Sequence, residues 1–202
     1  MKRIVSLVLP VMLIFAMLCG CAANPNRQIS RRVDSFFTAV KKADTAAIQS
    51  LLGEQYTEVE KEYVTEDFLI IGGEEDEATM AENDLFKSVF SNMKWEIGET
   101  SISEDKETAY VSVKIDSVNL KAILDEAYEE VIGSEISPDE GWIDLLSRAK
   151  ERVTTKTVSR HQVELLVKVQ RVVDESISDG EVWIVMLNND LLDAISGGIM
   201  SN

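Results

Sequence analysis

Between Met93 and Trp95 the apolar pattern changes period from 3.6 residues to 2, and this switch constrains the fold more than any other feature of the chain. Upstream, apolar residues recur at helical spacing. Downstream, Ala109, Val111, Val113 and Ile115 alternate with Tyr110, Ser112 and Lys114, the mark of a strand with one buried face. The two periods cannot share one element, so helices and strands must segregate along the chain, which makes the fold class α+β.

The helical part reads as follows. A first amphipathic helix is expected from about Gln28 to Lys42, with Ile29, Val33, Phe36, Phe37 and Val40 on one face. Asp44 caps a second helix that carries Ala47, Ile48, Leu51 and Leu52 and ends near Gly53. Residues Tyr56 to Ile71 admit two readings. Tyr56, Val59 and Tyr63 have helical spacing, whereas Phe68-Leu69-Ile70-Ile71 ahead of Gly72-Gly73 fits a short buried strand. Glu74-Glu75-Asp76-Glu77 reads as a charged loop leading into a third helix striped by Phe86, Val89, Phe90 and Met93.

Trp95, Ile97 and Ile102 then belong to a first strand, Glu104-Asp105-Lys106-Glu107 to a hairpin loop, and Ala109 to Ile115 to a second strand. A helical insertion follows. Asn119 caps a helix bearing Leu120, Ile123, Leu124, Ala127 and Val131, stopped at Gly133. Ser137-Pro138-Asp139-Glu140 combines a capping box with proline at the first helical position, opening a helix with Trp142, Leu145, Leu146, Ala149 and Val153. A long strand is expected from about Thr155 to Val173, with Val163, Leu165, Val167 and Val169 on one parity. Ser178-Asp179-Gly180 is a turn signal before a last strand, Val182 to Leu187, and a short helix, Asp190 to Ile195, stopped by Gly197-Gly198.

The N-terminal segment carries an address. Lys2 and Arg3 precede an uncharged run, Ile4 to Leu18, whose fifteen residues span about 22 Å as a helix, short of the roughly 30 Å hydrocarbon core. A positive start, a short apolar run and small residues after it describe a secretory signal peptide. Leu18-Cys19-Gly20-Cys21 resembles the lipobox of bacterial lipoproteins, with Leu18, Cys19 and Gly20 as the signal-peptidase recognition residues. That resemblance implies that Cys21 is diacylated through its sulfur and becomes the new N-terminus. Two acyl chains, at about 0.8 kcal/mol per buried CH₂, anchor stably where one does not. The expected organisation is a signal peptide at 1–20, a lipidated tether at 21–27 (Cys21 to Arg27) and one domain at 28–202, held on the outer face of the bacterial cytoplasmic membrane.

Charge narrows the partners. The chain has 20 Lys+Arg against 36 Asp+Glu, a formal net charge of −16, and loss of Lys2 and Arg3 with the signal takes it to −18. Such a surface repels phosphate backbones and anionic headgroups alike, so nucleic acid is not expected as a partner and the membrane is reached through the lipid alone. Two cysteines and one histidine in 202 residues leave no cysteine or histidine set for a structural metal, and no cofactor is expected. The Glu74 to Glu77 run lacks the alternating ligands and glycine turn of a calcium loop. No G-x-S-x-G, P-loop or G-x-G-x-x-G occurs.

Ser30 to Leu52 resembles the opening of NTF2-like domains, in which an aromatic-rich helix, a break and a second short helix cap a cone-shaped sheet. The segment VELLVKVQRVVDESISDGEVWIVM resembles that family's closing hairpin, and the tail DLLDAISGGIM is similar to the ends of small clostridial-type lipoproteins. The resemblance implies N-terminal helices packed on a curved antiparallel sheet, with the Leu120 to Val153 helices as an insertion. It also implies a pocket between helices and sheet, for which Phe36, Phe37, Phe86, Phe90, Trp95, Trp183 and His161 are the candidates; Trp142 belongs with the same aromatics. The same residues at the same spacing are also what an ordinary core needs. His161, which shares parity with Val163, is either a general base in such a pocket or a packed strand histidine.

Two functions follow as expectations. The first is a lipid-anchored, non-catalytic domain that binds a small apolar ligand or an envelope protein. The alternative is an enzyme of the ketosteroid-isomerase or dehydratase type, with a pocket carboxylate or His161 as base and a tyrosine such as Tyr128 within reach as hydrogen-bond donor.

Overall fold

The computed structural model describes residues 24–52, 76–132, 138–155, 158–173 and 181–199. The signal segment with Cys21, the stop at Gly53, the two readings of Tyr56 to Ile71, Glu74 and Glu75, the stop at Gly133, Ser137 and the Ser178-Asp179-Gly180 turn lie outside the described residues.

Helix α1 runs Pro25–Lys41, starting three residues ahead of the expected Gln28 and so taking in the end of the expected tether. The cause is local. Asn24 accepts the Asn26 N–H at 3.1 Å, and proline at the first helical position gives up an N–H that would have no partner there. Ile29, Val33, Phe36, Phe37 and Val40 are fully buried. Helix α2, Thr45–Leu52, starts at the expected cap, with Asp44 accepting the Ala47 N–H at 3.0 Å. Arg32 of α1 closes its far end, donating from Nη2 to the carbonyls of Ser50 and Leu51 at 3.1 and 3.3 Å.

Helix α3, Glu77–Ser91, corrects the reading of the acidic run. Asp76 is its cap, accepting the Thr79 N–H at 2.8 Å, and Glu77 sits in the first turn rather than in a loop. The Thr79 backbone and side chain hold the Asp76 carboxyl below the usual range. The buried stripe is Leu85, Val89, Phe90 and Met93, while Phe86 is half-buried and stacks on Phe90 at 6.0 Å between ring centroids.

Strands β1 (Lys94–Ile102), β2 (Thr108–Val118), β3 (Arg160–Val173) and β4 (Glu181–Val185) form an antiparallel meander in the order β1-β2-β3-β4. Ala109, Val111, Val113 and Ile115 are all buried, as their alternation requires. Partner register places Trp95 opposite Ile115 and Val163, and Val169 opposite Ala109 and Val185, so one parity of every strand faces the helices. A bulge between Ile97 and Thr100 interrupts the β1–β2 ladder.

Helices α4 (Leu120–Val131) and α5 (Pro138–Thr155) form the insertion between β2 and β3, and α6 (Asn189–Ser196) ends the described chain. Asn119 and Asn188 cap α4 and α6 through their side chains at 3.0 and 2.8 Å. Helix α5 runs on to Thr155, and β3 begins only at Arg160. Thr154 and Thr155 return their hydroxyls to the carbonyls of Lys150 and Glu151 one turn back, which lets β-branched residues finish a helix. Trp142 does not join the core: it is 44% exposed and donates Nε1–H to Glu82 of α3 at 2.9 Å.

The described residues thus form an α+β fold of six helices and a four-stranded sheet that does not close into a barrel. Helices α1 and α6 lie against one face of the sheet, α2 reaches β4, and α5 packs between α3 and α4 rather than on the strands.

One charge in that helical layer is costly. The Arg152 side chain on α5 is only 10% exposed and is balanced by two carboxylates of α4, Glu126 and Glu130. A buried cation without a partner destabilises more than the whole pair stabilises. Glu126→Ala with Glu130→Ala should therefore lower the thermal midpoint by about 5–10 °C, whereas Arg152→Met should hold it within about 2 °C. Scanning calorimetry of the three chains checks the contrast.

The same layer makes stability acid-sensitive. Hydrogen bonding to Lys150 holds the Asp84 carboxyl below the usual range, and hydrogen bonding to Arg152 does the same for Glu130. Both groups bind protons less readily in the folded state, so their contribution is complete above the unfolded carboxyl pKa of about 4 and is lost as pH falls through the folded values. Denaturant midpoints should drop steadily from pH 5 to pH 3, and Lys150→Met should flatten that slope.

Candidate functional site

The expected site residues separate into four places. Phe36 and Phe37 pack edge to face at 5.5 Å between centroids, and Phe37 stacks on Trp95 at 5.7 Å. Phe36, Phe37 and Phe90 are wholly buried within the core. Trp95 is held at both ends of its ring: Nε1–H donates to Asp34 at 2.8 Å, and the Lys41 ammonium lies 5.8 Å from the ring centroid. Phe86 belongs to the α3 stack with Phe90. Trp183 stands on β4 opposite Arg171, half-buried against the core.

His161 sits apart from these rings, at the start of β3, opposite Ser117. Its Nε2 is buried without a hydrogen bond and lies 3.6 Å from the Asp193 carboxylate of α6, and a side chain at Gly198 would run into its ring. Ser117, His161 and Asp193 resemble a nucleophilic triad in composition only. Ser117 is fully buried, and its hydroxyl donates to the backbone carbonyl of His161 at 3.3 Å instead of to the imidazole. That hydroxyl has no route to a substrate and no base on it. Tyr128, the expected donor, is 54% exposed on α4. Among the described residues no three acidic, histidine or cysteine side chains converge to hold a metal.

The face of the sheet turned away from the helices is a different surface, and the sequence reading did not single it out. Across β1, β2 and β3 it forms an open groove of about 490 Å³ lined by Lys94, Glu96, Lys114, Asp116, Gln162 and Glu164, with the helix-facing residues Trp95, Ile115 and Val163 of the same strands at its floor. Register sets these residues in two rows: Glu96, Lys114 and Glu164 in one, Lys94, Asp116 and Gln162 in the next. Arg160 donates to the Asp116 carboxylate at 2.6 Å, and Ser112 donates to Glu164 at 3.4 Å. Among the described residues nothing engages the ammonium groups of Lys94 and Lys114 or the carboxylate of Glu96. Beside the groove, Leu166 is 61% and Tyr110 39% exposed, at diagonal positions on adjacent strands. The signal available in the sequence was the polar parity itself, Tyr110-Ser112-Lys114-Asp116 and Gln162-Glu164-Leu166.

No helix among the described residues is long and apolar enough to cross a membrane. No protein-family model, curated protein or solved structure matches this chain.

Proposed function

We propose that this protein is a lipid-anchored, extracytoplasmic binding domain of the NTF2-like cone type, non-catalytic, which meets another envelope component through the open face of its sheet. The anchor is the diacylated thiol of Cys21, left at the N-terminus when the lipobox residues Leu18, Cys19 and Gly20 are removed with the signal peptide.

One observation carries the binding reading: the strands are covered on one side by α1 and α6, while the other side presents the groove and, beside it, exposed Leu166 and Tyr110. An apolar residue as exposed as Leu166 in the middle of a sheet face loses nothing by being covered and gains on contact. The aromatics that an apolar-ligand pocket would need as its walls are instead packed into the core: Phe36 and Phe37 touch each other, and Phe90 is fully buried. This favours a partner on the open face over an apolar guest between the layers.

The test has two arms on the full chain in its own envelope. A photo-crosslinking residue at Leu166 should yield a discrete adduct that the same residue at exposed Gln49 of α2 does not, and equal labelling at both positions would sink the reading. Cys21→Ser should move the protein from the membrane to the soluble fraction, with intact mass showing diacylation only in the parent chain.

A further inference from the structure

We propose that the groove across β1, β2 and β3 binds a short zwitterionic peptide, a molecule with a free ammonium and a free carboxylate held a few ångströms apart. This deepens the reading of the open sheet face as the contact surface and rests on it.

The charge pattern selects the ligand. Lys114 lies in register between Glu96 and Glu164, with Lys94 and Asp116 in the neighbouring row. Directly opposed side chains on antiparallel strands have Cβ atoms about 5 Å apart and diagonal ones about 7 Å. Positive and negative groups therefore alternate at a spacing comparable to the separation of the two ends of a dipeptide. Asp116 already has Arg160, and Glu164 has the Ser112 hydroxyl. Among the described residues the ammonium groups of Lys94 and Lys114 and the Glu96 carboxylate have no such partner, although Lys114 is flanked by two acids. A ligand carboxylate placed at Lys114 and Lys94, with its ammonium toward Glu96 or Glu164, satisfies both signs at once.

Other ligand classes fit less well. A polyanion would meet three carboxylates, and a simple cation would meet two lysines. The volume of about 490 Å³ is within the range of small-molecule sites, and the groove is open enough for the peptide's own side chains to project. Gln162 supplies a donor and an acceptor for the peptide bond.

The test is isothermal titration of the full chain in detergent micelles with dialanine, N-acetyl-dialanine and dialanine amide. Dialanine should bind, and blocking either end should weaken binding at least tenfold. Lys114→Gln and Glu96→Gln, both at exposed positions, should each weaken dialanine at least tenfold while leaving the far-ultraviolet circular dichroism unchanged. Absence of dialanine binding, equal binding of the blocked forms, or unchanged binding to both variants would overturn the proposal. The broader reading is judged separately: if dialanine fails but crosslinking at Leu166 still captures a discrete partner, the face remains a contact surface and only the ligand assignment falls.

Discussion

Gly197→Ala should destabilise the chain by about 3 kcal/mol or more, enough to detach α6 from the sheet. Gly197 ends that helix at φ +75°, a left-handed conformation that costs a residue with a Cβ about 1–2 kcal/mol. Space makes it worse. A Cβ there would stand 1.9 Å from the Val118 carbonyl oxygen and 2.8 Å from the Leu120 nitrogen, both backbone atoms at the junction of β2 and α4. The Gly197 carbonyl also accepts the Lys121 N–H at 3.4 Å, so the strain reaches the first turn of α4. Gly198→Ala is the control. Its φ of +84° carries similar backbone strain, but its Cβ would meet the His161 ring at 3.2 Å, and a side chain can give way where backbone cannot. Urea unfolding should rank the two, Gly197→Ala well below Gly198→Ala; equal midpoints would refute the assigned clash.

Phe37→Ala is expected to cost about 3–5 kcal/mol. The ring is fully buried, touches Phe36 edge-on and stacks on Trp95, so its loss opens a cavity at the seam between α1 and β1. The indole that keeps Trp95 pinned to Asp34 would lose its flat support, and its near-ultraviolet dichroism should collapse even at temperatures where the chain stays folded. Phe86→Ala should cost less, because that ring is only partly buried at the margin of the core.

The layout was legible wherever a repeat of 3.6 or 2 residues reported burial directly. Ala109 to Ile115 and the stripe Ile29 to Val40 are both buried as their spacing demands. Boundaries were legible only when the capping side chain stood out. Asp44 and Asn119 did; Asn24-Pro25 was absorbed into a polar tether, and Asp76 into an acidic run. Thr155 reads as the start of a strand because β-branched residues favour extended backbone, yet its hydroxyl bonds back into the helix. The site was harder. The aromatic residues that looked like a pocket make a core, since period alone cannot tell a cavity wall from packing. The pairing of His161 with Asp193 joins residues far apart in sequence, and the groove arises only once three strands are in register.

The helical insertion has a kinetic consequence. β1 and β2 are joined by a short turn, whereas β2 must wait for 41 residues, 119–159, before it meets β3. Loop-closure entropy favours the near pairing, and early docking of α4 on α5 shortens the effective separation of the far one. The β1–β2 hairpin and the α4–α5 pair are thus expected to form first, with the sheet completed when the second delivers β3 to the first.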